Sequence, residues 1–214
     1  MKVFCALLFA LSCIHISAGE GLKCTLKPTD INVPWRDMVD PCVKLAEAQI
    51  KVEIHAAMKY LAMAAYFGQD KVSLPGFSKF FFDAANEERE HAKKIMKYLA
   101  MRGELSGGVT HLIQPLGEIT ESPTSGLQAL KDALALESQV TREIRNLIQM
   151  CETPKDSDFN DYHLVDYLTT DFLDEQHKGQ RILAERISIL GKMVNTQGGL
   201  ADFLFDIKLL NGEI

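Results

Sequence analysis

The stretch Glu104–Ser125, "ELSGGVTHLIQPLGEITESPTS", lies between two long segments of helical periodicity and carries almost none of its own. Connections inside compact helical domains are usually short, so one of about twenty residues needs a reason. Extended, it covers up to roughly 65 Å. That length can carry the chain back to the end where the preceding helix began. Read this way the segment is one long crossover, and the helices on either side of it run parallel.

Outward from it, four stretches keep helical spacing. The first opens on Asp40 and Pro41, an N-cap and N1 pair, and runs through "KLAEAQIKVEIHAAMKYLAMAAYF" to about Gly68. The second begins near Pro75 and ends at "MKYLAMRG", with Gly103 as its cap. The third starts near Gly126 and covers "LQALKDALALESQVTREIRNLIQMC"; the fourth occupies about 160–193, with Gly179 as a candidate kink. A short amphipathic segment, "GLADFLFDIKLL", follows, with Leu200, Phe203, Leu204 and Ile207 on one stripe. Helices of about 27 to 34 residues are roughly 40–50 Å long. Strand signals are sparse. The expected fold is all-α: a four-helix bundle with one long crossover and a short fifth C-terminal helix.

The cysteines check the crossover independently. Cys42 starts the first helix and Cys151 ends the third. With the crossover both lie at one end of the bundle; without it they lie a helix length apart, far beyond the ~7 Å reach of a disulfide. A Cys42–Cys151 bridge is therefore expected.

The N-terminus reads as a secretory leader. "MKVFCALLFALSCIHISAGEG" has Lys2, an apolar run to about Ile14 and small residues Ser17, Ala18 and Gly19. The expected division is 1–19 signal peptide, cleaved near 18–19, then 20–40 as an N-terminal arm and 41–214 as the bundle domain. The apolar run is too short to span a membrane. Of five cysteines, Cys5 and Cys13 leave with the leader, and an internal pair leaves Cys24 for a partner chain. A net charge of −6 argues against nucleic acid.

Several polar residues stand in apolar helical surroundings. Glu53 and Tyr60 share a face of the first helix; Glu88 and His91, spaced i, i+3 within "NEEREHAKK", share a face of the second; Glu137 interrupts the third; Gln176 lies on the fourth. Measured from the Cys42 end at about 1.5 Å per residue, all fall at roughly 17–24 Å. This register nearly survives without the crossover, so it supports a site and says little about topology. Alone, "EEREH" reads as a solvated helix face, and His55, His111 and His177 read as structural or surface residues. Agreement of four helices on one level favours a site. Three carboxylates at one level of a core cost several kcal/mol each unless protonated or bound to cations. Hard oxygens with one imidazole suit iron or manganese. The third helix reads Glu137-Ser-Gln-Val140 where a symmetric di-iron bundle has a second Glu-x-x-His, so one metal position is poorer in ligands.

The stretches "KVEIHAAMKYLAMAAYF", "FFDAANEEREHAKKIMKYLAMRG", "ALALESQV", "YHLVDYLTTDFLDEQ" and "GGLADFLFDIKLL" resemble the ferritin family, from about Cys42 to Leu210 and in the family's order. The leader and the cysteines resemble its secreted insect-type heavy chains. The resemblance implies a ferritin-like bundle and a ferroxidase centre. Glu53, Glu88 and His91 match ligands of a first iron; Glu88 bridges to a second, where Glu137 is the other carboxylate and Gln176 stands beside it. Tyr60 matches a hydrogen-bond partner of the site and Glu87 an auxiliary acid. The implied activity is oxidation of Fe(II) by O2 and storage of Fe(III) in a 24-subunit shell. The implied partners are this chain itself and a light-chain-type subunit, the latter tied through Cys24; neither nucleic acid nor membrane is expected.

Departures accompany the resemblance. At the iron-entry pore Asp166 matches one acid, Thr169 replaces the other, and His163 is nearby. At the nucleation surface Glu87 and Glu90 are present, but Lys93 and Lys94 follow. The apolar C-terminal helix fits a fourfold channel closed to ions. Two other readings stand beside the ferroxidase: a non-catalytic storage subunit, and a secreted helical-bundle cytokine.

Overall fold

The computed structural model describes residues 35–105, 109–114, 117, 119, 123–155 and 159–214. The expected leader, Cys24 and most of the arm lie outside the described residues. The helices are α1 (Asp40–Phe67), α2 (Pro75–Met101), α3 (Gly126–Glu152), α4 (Tyr162–Tyr167), α5 (Asp174–Gln197) and α6 (Leu200–Leu210). No strand occurs among the described residues, and none of their helices is long and apolar enough to cross a membrane.

Each long helix buries a stripe at three- and four-residue intervals. On α1 it runs Cys42, Ala46, Gln49, Ile50, Glu53, Ala57, Tyr60, Ala64, Phe67; on α3, Leu130, Ala133, Glu137, Val140, Ile144, Leu147, Cys151. Burying a large aliphatic or aromatic side chain contributes about 1.5–3 kcal/mol. Phe67, Phe77, Phe81 and Phe205 stack where α1 turns into α2, with neighbouring centroids 5.0–6.5 Å apart. The start of α1 differs from the expected cap: Val39 takes the extended cap conformation, so Asp40 and Pro41 lie inside the first turn. An acid there still complements the helix dipole. Gly103, at φ +73°, follows the end of α2 as expected.

The connection between α2 and α3 is the predicted crossover. Cys42 and Cys151 are bonded, with Cα atoms 5.0 Å apart, which places the start of α1 beside the end of α3. At the other end Gly126, the first residue of α3, lies so close to the Phe77 ring near the start of α2 that an added Cβ would sit 2.4 Å from Cζ. Helices α2 and α3 therefore start together and run parallel. Along the way the crossover forms a 3-10 turn at Val109–Ile113 and buries Leu112.

The α6 helix closes that end. Its Asp206 Oδ1 accepts from the Phe77 amide at 2.8 Å, and Asp202 Oδ2 accepts from the Gly126 amide at 3.0 Å. One short helix thus caps both parallel helices, satisfying donors that have no partner within their own helix. Gly76 allows this approach, since a Cβ there would lie 2.1 Å from the Asp206 carbonyl oxygen. Gly76→Ala is expected to destabilise the chain by about 1–3 kcal/mol by prising α6 away. Hydrogen exchange of the α6 amides checks this: they should lose protection before the rest of the bundle.

The fourth long helix is uninterrupted at Gly179. Its irregularity lies earlier, at a π turn, Leu168–Leu173, joining α4 to α5. The buried residues explain it: Leu164, Leu168, Phe172 and Gln176 are each four apart. A regular helix drifts by about 40° over four residues, so three such steps would turn the stripe well away from the core. The wider π turn holds all four inward.

Candidate metal centre

Four helices deliver buried polar side chains to the core, and those of α1 and α2 meet at one point. Glu53 on α1 is fully buried; its Oε1 accepts from Gln49 Nε2 at 2.8 Å, and its Oε2 has no partner. Glu88 and His91 on α2 are almost as deep, and Glu88 Oε2 and His91 Nδ1 also lack hydrogen-bond partners. One donor atom from each of Glu53, Glu88 and His91 lies within 4.8 Å of the other two. From α3, Glu137 Oε1 accepts a short hydrogen bond from the Tyr60 hydroxyl.

His91 is set for coordination by a residue that the sequence reading missed. Its Nε2 lies 3.2 Å from Glu175 Oε2, and a carboxylate there fixes the proton on Nε2. The Nδ1 lone pair then faces Glu88, whose Oε2 is 3.6 Å away. A carboxylate holding the far nitrogen of a metal-binding imidazole is the usual outer-shell arrangement. Lys94 Nζ, 3.2 Å from the same Glu175 oxygen, steadies it in turn. Burial is the largest single influence on the Glu175 carboxyl and raises it, but the Lys94 hydrogen bond and the His91 and Lys94 charges together hold it below its ordinary pKa.

On the Glu137 side the support is amide and hydroxyl. The Thr141 hydroxyl lies 2.8 Å from the Glu137 carbonyl oxygen and 2.9 Å from Gln176 Oε1, and accepts from Gln180 Nε2. Gln176 is buried and hydrogen-bonds to the Glu137 carboxylate, so it acts first as that acid's partner. Gln49 was missed too, although its place one turn before Glu53 could have revealed it. Thr141, Glu175 and Gln180 carried no such signal, because polar residues on a helix margin are ordinary.

The acids strain against their burial. Desolvation pushes the Glu53 carboxyl well above its ordinary 4.5, and the Glu88 charge adds to it. Glu88 is raised well above by burial and then by Glu137; Glu137 is raised by burial, against hydrogen bonds from Tyr60 and Gln176. An acid whose folded pKa exceeds its unfolded value favours folding below that unfolded value. The benefit is lost as pH rises through the folded pKa. Metal-free protein is therefore expected to lose stability from about pH 5 upward at this site. Glu88→Gln should raise the metal-free melting temperature at pH 8 and raise it less as pH falls toward 5; calorimetry across that range checks it.

The remaining expected residues lie at the margin or elsewhere. Glu87 is on the solvent side, where one of its oxygens groups with His91 and Glu175 as a second cation-sized cluster. Partial burial lifts its pKa, opposed by His91. Glu90 is exposed and pairs with Lys93 at 2.7 Å. Asp166 and Thr169 are exposed, and His163, also exposed, directs Nδ1 to the Tyr98 hydroxyl at 2.8 Å. A cleft of about 270 Å³ between α2 and α5, lined in part by Phe80, Ala84, Gly179 and Arg186, reaches Tyr60, Glu88, His91, Glu137 and Gln176.

Hard carboxylate donors with one oriented imidazole, at mid-height in a single-crossover four-helix bundle, define an iron-handling carboxylate bundle. A family model, the Ferritin-like domain, matches residues 43–193. The ferritin heavy chain of Papilio xuthus is 49% identical over 98% of this chain and 99% of its own. That of Drosophila melanogaster is 48% identical over 96% and 98%. The crystal structure of Trichoplusia ni secreted ferritin superposes with a TM-score of 0.82 at 49% identity, covering 88% of this chain and 97% of that one. The chain belongs to the ferritin family. Its similarity to heavy chains extends nearly end to end, which sets the cytokine reading aside.

Proposed function

We propose that this chain is the iron-oxidising subunit of a secreted ferritin. Glu53, Glu88 and His91 hold a first Fe(II), and Glu88 and Glu137 hold a second. The observation that carries the reading is twofold: one donor atom each of Glu53, Glu88 and His91 lies within 4.8 Å of the others, and each of these buried residues keeps a side-chain atom, Glu53 Oε2, Glu88 Oε2 and His91 Nδ1, without a hydrogen-bond partner. Such atoms cost free energy unless a cation satisfies them. Iron is substrate here: each Fe(II) gives one electron to O2, and the protein supplies position and hard ligands.

The second position has fewer ligands, and that suits a site whose product has to leave. Gln176 and Tyr60 orient Glu137 there, Glu175 orients His91, and Glu87 serves the margin toward the cleft. Fe(III) then passes into the cavity of a 24-subunit shell built from this chain and a light-chain-type partner. Cys24 supplies the inter-subunit bond, Asp166 and His163 flank the entry pore, and residues 1–19 direct secretion. A non-catalytic storage subunit would lack one of the four ligands, and none is missing.

Anaerobic Fe(II) titration by calorimetry tests the ligand assignment. The wild type should bind a pair of Fe(II) per subunit. Glu137→Ala should retain the tighter site and weaken the other by more than the roughly 10–100-fold typical of an outer-shell loss. Equal weakening of both, or of neither, would remove Glu137 from the second position.

A further inference from the structure

A file of aromatic rings leaves the metal centre and ends at the protein surface, and none of the rings beyond His91 is among the proposed iron ligands. The Phe172 ring centroid lies 5.5 Å from that of His91. Tyr167 meets Phe172 edge-on at 5.6 Å, Tyr98 stacks on Tyr167 at 5.1 Å with planes 14° apart, and His163 stacks on Tyr98 at 5.6 Å. Phe172 and Tyr98 are buried, Tyr167 is half-buried and His163 is exposed. The π turn, which keeps Phe172 inward, completes the file.

The outer end has what a redox-active tyrosine needs. A phenol gives up an electron readily only if its proton leaves too, because the oxidised phenol is a strong acid. Burial, then the Asp161 charge, pushes the Tyr98 pKa up to about 12, so the phenol is protonated at neutral pH. Its oxygen accepts from Arg102 Nη1 at 2.7 Å. Arginine has no acceptor, so the phenolic proton points to His163 Nδ1, 2.8 Å away. The Arg102 charge is offset by Asp161 at 2.9 Å and by Asp37.

Tyr60 is less suited to this. Its hydroxyl donates into the centre, to Glu137, so its proton has no path outward. Two phenylalanines, Phe81 and Phe67, separate it from the next tyrosine, Tyr66, whereas one, Phe172, separates His91 from Tyr167.

We propose that Tyr98, with His163 as its proton acceptor, drains single oxidising equivalents from the metal centre to the surface through Tyr167, the electron tunnelling past the Phe172 ring, which is not itself oxidised. This rests on the iron-oxidising reading. The occasion is hydrogen peroxide meeting a centre that holds only one Fe(II). The Fe(II) gives one electron, and the O–O bond breaks to hydroxide and a one-electron oxidant at the level of hydroxyl radical. Tyr98 gives the second electron through the file and its phenolic proton to His163. The oxidant becomes a second hydroxide, leaving Fe(III), a neutral tyrosyl radical and protonated His163. Fe(II) in solution then reduces the radical, and the proton returns from His163. Without the relay the oxidant is consumed on Glu53, Glu88 or His91.

Assembled protein loaded anaerobically with substoichiometric Fe(II), mixed with hydrogen peroxide and rapidly frozen, tests this by electron paramagnetic resonance, with iron oxidation followed optically in the same mixing. The wild type should show a tyrosyl radical. Tyr98→Phe, which keeps the ring stack, should lose it while still oxidising iron, and His163→Phe, which keeps a ring but no proton acceptor, should lose it when compared at the same bound iron. An undiminished radical in Tyr98→Phe, or iron oxidation without any radical in the wild type, overturns the relay alone. A wild type that oxidises no iron overturns the parent reading as well.

Discussion

Replacing Glu53 and His91 together by alanine is expected to abolish fast Fe(II) oxidation while an assembled shell still forms. The activity loss should exceed about 100-fold, beyond the cost of losing a residue that merely orients a ligand. Both side chains are buried, and each has an atom without a hydrogen-bond partner. Removing them takes away desolvated polar groups rather than contacts on which the bundle depends. The opposing cost is a cavity and a Gln49 amide left without its acceptor. Glu53→Gln with His91→Ala keeps the volume and that hydrogen bond, and should be equally inactive. Stopped-flow absorbance reports oxidation, and size-exclusion chromatography reports assembly. Inactivity with a collapsed shell in both variants would assign these residues to folding instead.

The second large effect concerns Cys42–Cys151. The bridge closes a loop of 109 residues between two fully buried positions. By the chain-entropy account such a loop contributes about 4–5 kcal/mol. Cys42→Ala with Cys151→Ala should therefore lower the thermal midpoint by roughly 8–20 °C for a domain of this size. The bridge also ties the start of α1 to the end of α3, and Asp161 N donates to the Cys151 carbonyl at 2.9 Å. Losing it should loosen the entry to α4 first. Calorimetry at a fixed scan rate measures the shift; a change within a degree or two would mean that packing alone sets this end of the bundle.

Topology was legible because two unrelated features agreed. The length of Glu104–Ser125 and the positions of Cys42 and Cys151 each demanded the crossover, and the bonded pair and the Gly126–Phe77 approach show it. Glu53, Glu88, His91 and Glu137 stood out because acids interrupt apolar stripes, and helix rise converts sequence position into height. The π turn was not legible. Leu164, Leu168, Phe172 and Gln176 could have revealed it through their unbroken four-residue spacing, but Gly179 drew the expected irregularity to itself. Glycine permits an interruption without forcing one, and here the helix continues across it. Glu175 was hidden because its role depends on α2 lying opposite. The two aspartates of α6 carried a signal that went unread, since acids four apart within "GLADFLFDIKLL" are odd on an apolar segment unless they cap something.

The central claim is that buried donors from α1, α2 and α3 form one iron-oxidising centre per subunit. Stopped-flow mixing of metal-free protein with increasing Fe(II) in aerated buffer measures it most directly. The account predicts a fast phase whose amplitude saturates at a pair of Fe(II) per subunit and which is missing from the Glu53→Ala, His91→Ala shell. A fast phase of equal size in that shell, or a wild-type rate no faster than that of the variant, would contradict it.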